Sequence, residues 1–197
     1  MPSVSAQSLG ALRSGWSATV DDCAISGGWT SDGEEFVVAD AAGGVTVFDG
    51  KRGDLKWAKK QVHKGGSLAT SVHPSEKKFA TTGQDGQLII WNAADTEKEQ
   101  VIDIGKGWVE NVSWSPDGNF VATSLSKTVY VYSARGEEVW RTSDHQSTVS
   151  TISWSNAGEL ATACYGQVQF LDGTNGNVIQ KLEWKGSLVS IALSNDS

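Results

Sequence analysis

No stretch of this 197-residue chain approaches the roughly 18 consecutive apolar residues that a membrane-spanning helix needs, so no membrane partner is expected. Residues 1–13 lack a basic segment followed by an apolar one, so no secretory signal is read there. The expected location is the cytoplasm, with the nucleus as the alternative. Cysteine is scarce. Cys23 and Cys164 read as free thiols of a reducing compartment, with a disulfide or redox pair as the other reading. Positive charge is also short: 16 Lys and Arg against 23 Asp and Glu leave a net charge of -7, which excludes the basic footprint that general nucleic-acid binding requires. The three histidines, His63, His73 and His145, stand apart, and no Cys or Asp cluster has metal-ligand spacing. The glycines fall in turns, not in a phosphate-cradling loop. Neither metal nor cofactor is expected.

What is present is a repeat. An apolar-Ala-Thr run, a turn, and an alternating strand closing on a large residue recur four times, around Ala39, Ala80, Ala122 and Ala161. The closing residues are Phe48, Trp91, Tyr132 and Leu171. The alanines are 41, 42 and 39 residues apart and the closing residues 43, 41 and 39. A period near forty marks a stacked-repeat architecture.

Each copy divides into four strands. In the third, residues 109–114 carry Val109, Val112 and Trp114 and run into the turn Ser115-Pro116-Asp117-Gly118. The second strand is expected at 119–124 and the third at 128–132, with Val129 and Val131 on one face and Tyr130 and Tyr132 on the other. A more polar fourth follows at 137–142, and no helix fits in the remainder. The first strand returns as Val149, Ile152 and Trp154 in the fourth copy. It returns as Val20, Cys23 and Ile25, before an extended loop at 27–33, in the first. Leu188, Ile191 and Leu193 give it a fifth time. Four-stranded units with apolar inner strands cannot bury their faces alone. Arranged radially, they can, and the result is a β-propeller.

These residues resemble the WD-repeat propellers related to the transducin beta subunit. The second copy carries that family's set in His63, Thr81, Asp85 and Trp91. The resemblance implies an all-β, incomplete propeller over 1–197: blade 1 at 17–60, blade 2 at 61–104, blade 3 at 105–144 and blade 4 at 145–186. The first strand of a fifth blade is expected at 187–197, and 5–16 is a candidate closing strand. The other copies keep parts of the pattern: His145 and Thr162 in the fourth, with Tyr165 near the Asp place; Thr123 and Tyr132 in the third, with Gly105 near the His place; Asp40 and Phe48 in the first. Trp16 and Trp184 are read at the His place, filling it by packing.

By the same resemblance, His63, Thr81, Asp85 and Trp91 form a structural hydrogen-bond network, not a catalytic set. Trp91, Trp114 and Trp154 belong to the core. Trp57 and Trp140 share a place in the outer strand, as rim cover or as contact surface. Trp108, immediately before the third blade's first strand, is either a partner anchor or packing. Gln84, Lys106 and Gln146 lie on the same face. Lys51, Arg52, Lys56, Lys59, Lys60 and Lys64 form a solvated edge or a docking patch for an acidic partner.

The implied function is a non-enzymatic scaffold for other proteins in a multiprotein assembly. The rival is a ligand-binding or enzymatic propeller with its site in the central channel. Four blades and a strand do not close a ring of about seven. A piece of a longer propeller is expected, with self-association of open ends, or an open solenoid, as alternatives.

Overall fold

The computed structural model describes residues 15–96, 98–143 and 145–194. Among them sixteen strands form four antiparallel four-stranded sheets, each a meander of consecutive strands. The first sheet holds β1 (Ala24–Trp29), β2 (Glu35–Asp40), β3 (Val45–Asp49) and β4 (Leu55–Lys59). The second holds β5 (Ser67–Val72), β6 (Lys78–Gly83), β7 (Gln87–Asn92) and β8 (Lys98–Asp103). In the third are β9 (Val109–Trp114), β10 (Phe120–Leu125), β11 (Thr128–Ser133) and β12 (Glu138–Thr142). The fourth has β13 (Val149–Trp154), β14 (Glu159–Cys164), β15 (Gln167–Asp172) and β16 (Val178–Glu183).

Alternation in the third strands decides how the sheets pack. Val45 and Val47 of β3 bury against Phe79, Ile89 and Trp91 of the second sheet. Leu88 and Ile90 of β7 meet Val109, Trp114, Val121 and Tyr132. Val129 and Val131 of β11 meet Val149, Trp154, Leu160 and Leu171. Each such side chain, taken fully out of water, contributes about 1.5–3 kcal/mol, so the core is a series of layers between sheets. First strands neighbour one another as β1, β5, β9 and β13. They are joined by short polar bonds: the Thr70 amide donates to Ser26 Oγ (3.1 Å) and the Trp114 amide to Ser71 Oγ (3.0 Å).

A meander of this kind has two unlike ends. Turns from first to second and from third to fourth strand lie at one, here the lower end. Turns from second to third strand, and the links to the next sheet, lie at the upper end.

Three expectations need correction. The first strand of the first blade is Ala24–Trp29, not the segment around Val20–Ile25, and Trp29 pairs with Phe36 as Trp114 pairs with Val121. Gly27 and Gly28, read as loop, are inside the strand. A Cβ at Gly28 would lie 2.8 Å from a methyl of Val72, so glycine lets β1 approach β5 closely. No fifth-blade strand is present among residues 187–194. Ser150 Oγ donates to the Leu188 carbonyl much as Asn111 Nδ2 donates to that of Val149 (3.2 Å), so the segment lies beside β13. With no second strand to pair with among the described residues, it forms no ladder.

Trp16, finally, is not at a His place. Its indole N–H donates to the Gly50 carbonyl (2.9 Å), as Trp57 does to Ala93 (2.9 Å) and Trp140 to Gly173 (2.8 Å). All three acceptors directly follow a third strand, so Trp16 occupies the socket of an outer-strand tryptophan. Its ring lies against Trp29, Phe36 and Phe48. Of the candidate closing strand at 5–16, only residues 15 and 16 are among those described.

Candidate functional site: the upper end of the blades

In the second blade the upper end is fastened by a chain of side chains. The Trp91 indole N–H donates to Thr81 Oγ1 at 2.9 Å, and Thr81 Oγ1 lies 2.8 Å from His63 Nε2. His63 Nδ1 lies 3.0 Å from Asp85 Oδ1. One proton arrangement satisfies every member: Nδ1–H donates to Asp85, Nε2 accepts from the Thr81 hydroxyl, and that oxygen accepts from Trp91. Asp85 also accepts from the amides of Lys64 (3.0 Å) and Gln87 (3.3 Å). His63, Thr81 and Trp91 are buried. The chain thus ties the second strand, the third strand, the upper turn and the link from the preceding blade, and it leaves no nucleophile open to a substrate.

The fourth blade keeps one part of this arrangement: His145 Nε2 lies 2.8 Å from Thr162 Oγ1. Leu171 offers no N–H there, and the Thr162 hydroxyl also reaches the Gln169 carbonyl (3.4 Å). In the third blade Thr123 donates to the Asn111 carbonyl instead. Asp40 of the first blade accepts from the Gly44 amide (2.8 Å) and serves its own turn.

Beyond these bonds the upper end is open. Trp108 is 55% exposed and lines a cavity of about 500 Å³ with Lys106, Glu110, Leu125 and Tyr130. The loop over Leu125 is held close by glycine: at Gly107 φ is +141°, and a Cβ would lie 2.9 Å from the Leu125 side chain. Gln146 is exposed and lines a second cavity, of about 610 Å³, with Tyr165, Glu183, Trp184 and Lys185. Gln84 is half-buried, its side chain lying over Gly65. Trp108, Lys106, Gln84 and Gln146 therefore share one end, in turns or links of different blades.

Two further aromatics stand there. Tyr165 is 60% exposed and Trp184 is 63% exposed, so Trp184 does not fill a His place by packing. Trp184 directly follows the outer strand of its blade as Ile104 follows that of the second, and its amide donates to the Gly166 carbonyl as that of Ile104 does to Gly86. Trp57 and Trp140, by contrast, are buried between blades. Cys23 is exposed, Cys164 is buried, and both are free thiols.

The lower end differs in charge. Asp32, Glu34 and Glu35 bring their carboxylates within 4.8 Å of one another. Lys77 of the next blade sits among them, 3.0 Å from Asp32 and paired with Glu34, and Lys56 lies 2.6 Å from Glu35. Hydrogen bonds from the Glu34 amide and the Thr30 hydroxyl, with help from Lys77, hold the Asp32 carboxyl down at about 2. This cluster is an ion-pair seam between blades that the sequence did not announce.

Side-by-side four-stranded meanders, with a His-Thr-Asp-Trp chain in one, define a β-propeller built of repeats. Comparison with known proteins specifies the kind. The WD domain, G-beta repeat, matches residues 59–92, and the anaphase-promoting complex subunit 4 WD40 domain matches residues 112–194. A guanine nucleotide-binding protein subunit beta of Dictyostelium discoideum is 26% identical over 150 residues, covering 72% of this chain and 39% of that protein. Subunits of the same description from Nicotiana plumbaginifolia and Arabidopsis thaliana are 34% identical over 62 residues, covering 32% of this chain and 16% of each. Residues 59–92 and 112–194 thus match WD40 repeats, and the chain is similar to G-protein beta subunits. It spans well under half the length of these relatives.

Proposed function

We propose that this chain is a non-enzymatic scaffold, cytoplasmic or nuclear, that holds other proteins on its upper end within a multiprotein assembly. The observation that carries the reading is the exposure of Trp108, Tyr165 and Trp184 beside the cavities of the upper end, while Trp57, Trp91, Trp114, Trp140 and Trp154 are buried and Trp29, 49% exposed at the lower end, lies against Trp16 and Phe36. A large aromatic left in water beside a cavity gains most when a partner covers it, and such residues dominate binding energy at protein interfaces. The reading extends to a longer ring. Val168 and Phe170 are half-buried where their counterparts in the first three blades are covered by the next one, a face that fits a further blade.

The test is affinity capture from source cells with the wild type, Trp108→Ala, and Leu55→Ala as an exposed control in the first blade. The reading expects a defined set of proteins that Trp108→Ala reduces several-fold and Leu55→Ala does not. Equal recovery with all three would remove Trp108 from the interface.

A further inference from the structure

At the lower end Asp32 and Asp117 hold the same kind of turn. Asp32 Oδ1 accepts from the Thr30 hydroxyl (2.8 Å) and the Glu34 amide (3.0 Å), and Asp117 Oδ1 from the Ser115 hydroxyl (2.6 Å) and the Asn119 amide (3.1 Å). What lies beyond each turn differs. Asp32 Oδ2 meets Lys77 of the next blade at 3.0 Å, whereas Asp117 Oδ2 accepts from the Asn119 side chain of its own turn (2.8 Å). By strand register the place of Lys77 falls to Gly158 in the fourth blade, because Lys78 pairs with Asn92 as Glu159 pairs with Asp172. The seam between the second and third blades is closed by His73, whose Nε2 donates to the Gly118 carbonyl (3.0 Å) and whose ring lies against Trp114. Ser115 stands in the place of His73 in the next seam, since its amide donates to the Phe120 carbonyl as that of His73 does to Lys78. Two seams are thus filled by a basic side chain of the chain itself, and the third has neither.

The third seam holds a cavity of about 390 Å³ instead. Phe120 and Trp154, stacked with ring centroids 6.4 Å apart, line it with Ile179, and Asp117, Glu159 and Asp172 bring carboxylates to it. No Lys, Arg or His is among its lining residues. The ion pairs of the lower end, Lys77 with Asp32 and Glu34, Lys56 with Glu35 and Arg52 with Asp54, use none of these three carboxylates. Both upper cavities, in contrast, carry one charge of each sign, Lys106 with Glu110 and Lys185 with Glu183.

We infer that the cavity between the third and fourth blades receives a lysine or arginine side chain of a partner protein, its charged end among Asp117, Glu159 and Asp172 and its stem along Phe120 and Trp154. Lys77 is the chain's own version of this occupant, reaching from the second blade to the carboxylates of the first. In the third blade Phe120 holds the place of Glu35, as Phe120 pairs with Ser133 where Glu35 pairs with Asp49. That exchange makes the wall apolar and suits the methylene stem of a long basic side chain, and an aromatic face also attracts a cation. A metal ion fits less well. Among the described residues only Asp32, Glu34 and Glu35 bring three such groups within 4.8 Å of one another, and Lys77 already sits there. This site lies at the end opposite Trp108 and does not depend on the proposal for the upper end.

The experiment is a titration of the full chain, followed by amide and indole NMR, with the peptide acetyl-Gly-Leu-Lys-Leu-Gly-amide. The comparators carry Arg or norleucine in place of Lys. The inference expects the Lys or the Arg peptide to shift the Trp154 indole and the amides of Asp117, Phe120 and Thr174, and to bind more weakly as salt is added. The norleucine peptide, equal in stem and lacking the charge, is expected to bind about fivefold more weakly or worse. Whichever basic peptide binds more tightly identifies the residue that enters. Glu159→Lys is expected to lose about tenfold or more in affinity, and Glu137→Lys, at an exposed lower-end carboxylate outside the cavity, less than about twofold. Thermal melting shows that both variants fold. Equal affinity for the norleucine peptide, shifts confined to other seams, or undiminished binding by Glu159→Lys overturns the inference. The wild-type titrations decide it even where a variant fails to fold, and cell capture with Trp108→Ala tests the upper end separately.

Discussion

Thr81 is placed between two demands, the indole N–H of Trp91 at 2.9 Å and Nε2 of His63 at 2.8 Å, and its single hydroxyl meets both. Replacing it with valine keeps the shape and leaves both groups buried without that partner. Each hydrogen bond lost at a buried polar group costs about 1–3 kcal/mol. Thr81→Val is therefore expected to lower the urea midpoint with little change in slope, and an unchanged midpoint would contradict the structural role. These four residues were read in the sequence through their resemblance to the WD-repeat set. The same resemblance misplaced Trp16 and Trp184. A tryptophan upstream of a blade suits either the His place or the outer-strand socket, and only the backbone path to Gly50 tells them apart.

At the scale of the element, what recurs is a clamp between neighbours. Trp140 on β12 reaches across to Gly173 and lies over Gly176, where φ is +74° and a Cβ would lie 2.6 Å from the indole. Trp57 makes the same contact with Ala93, but Gln100 holds the corresponding place in β8, opposite Ile90. Trp140→Ala is expected to cost about 3–5 kcal/mol. In a stack where each repeat touches only its neighbours, the loss is local. Hydrogen exchange should quicken in β12 and β13–β16 and stay as before in β1–β4, whereas a uniform rise would contradict nearest-neighbour coupling. The second and third strands were read from the sequence almost to the residue, since an apolar residue followed by Ala marks the second and two apolar residues on alternate positions mark the third in every copy. The first strand of blade 1 slipped because Gly27-Gly28 has the composition of a loop. What makes it a strand is the close approach of Val72, a contact between residues far apart in the chain. The last segment failed for a different reason: apolar alternation at Leu188, Ile191 and Leu193 suits a strand, but a ladder needs a partner.

For the whole molecule, the forty-residue period was enough for the fold, and the WD40-repeat matches over residues 59–92 and 112–194 agree with it. The placement of charge was not legible from a net value of -7. Composition sums over both ends, whereas the meander sends the first-to-second turns, with Asp32 and Glu34, to the lower end and the links that carry Lys64 and Lys106 to the upper. Lysines 59, 60 and 64, read together with Lys51, Arg52 and Lys56 as one edge, are divided by this topology. Lys60 is matched by Asp21 and Lys56 by Glu35, while Lys64 faces solvent at the upper end.

The central claim, that the upper end is where partners sit, is tested most directly by lysine footprinting. The chain, captured with its partners from source cells, is acetylated beside the purified chain alone, and each lysine is read by mass spectrometry. The account predicts that partners protect Lys64, Lys106, Lys127 and Lys185 and leave Lys51, Lys77 and Lys78 at the lower end as reactive as before. Protection confined to the lower lysines, or none at the upper four, would contradict it.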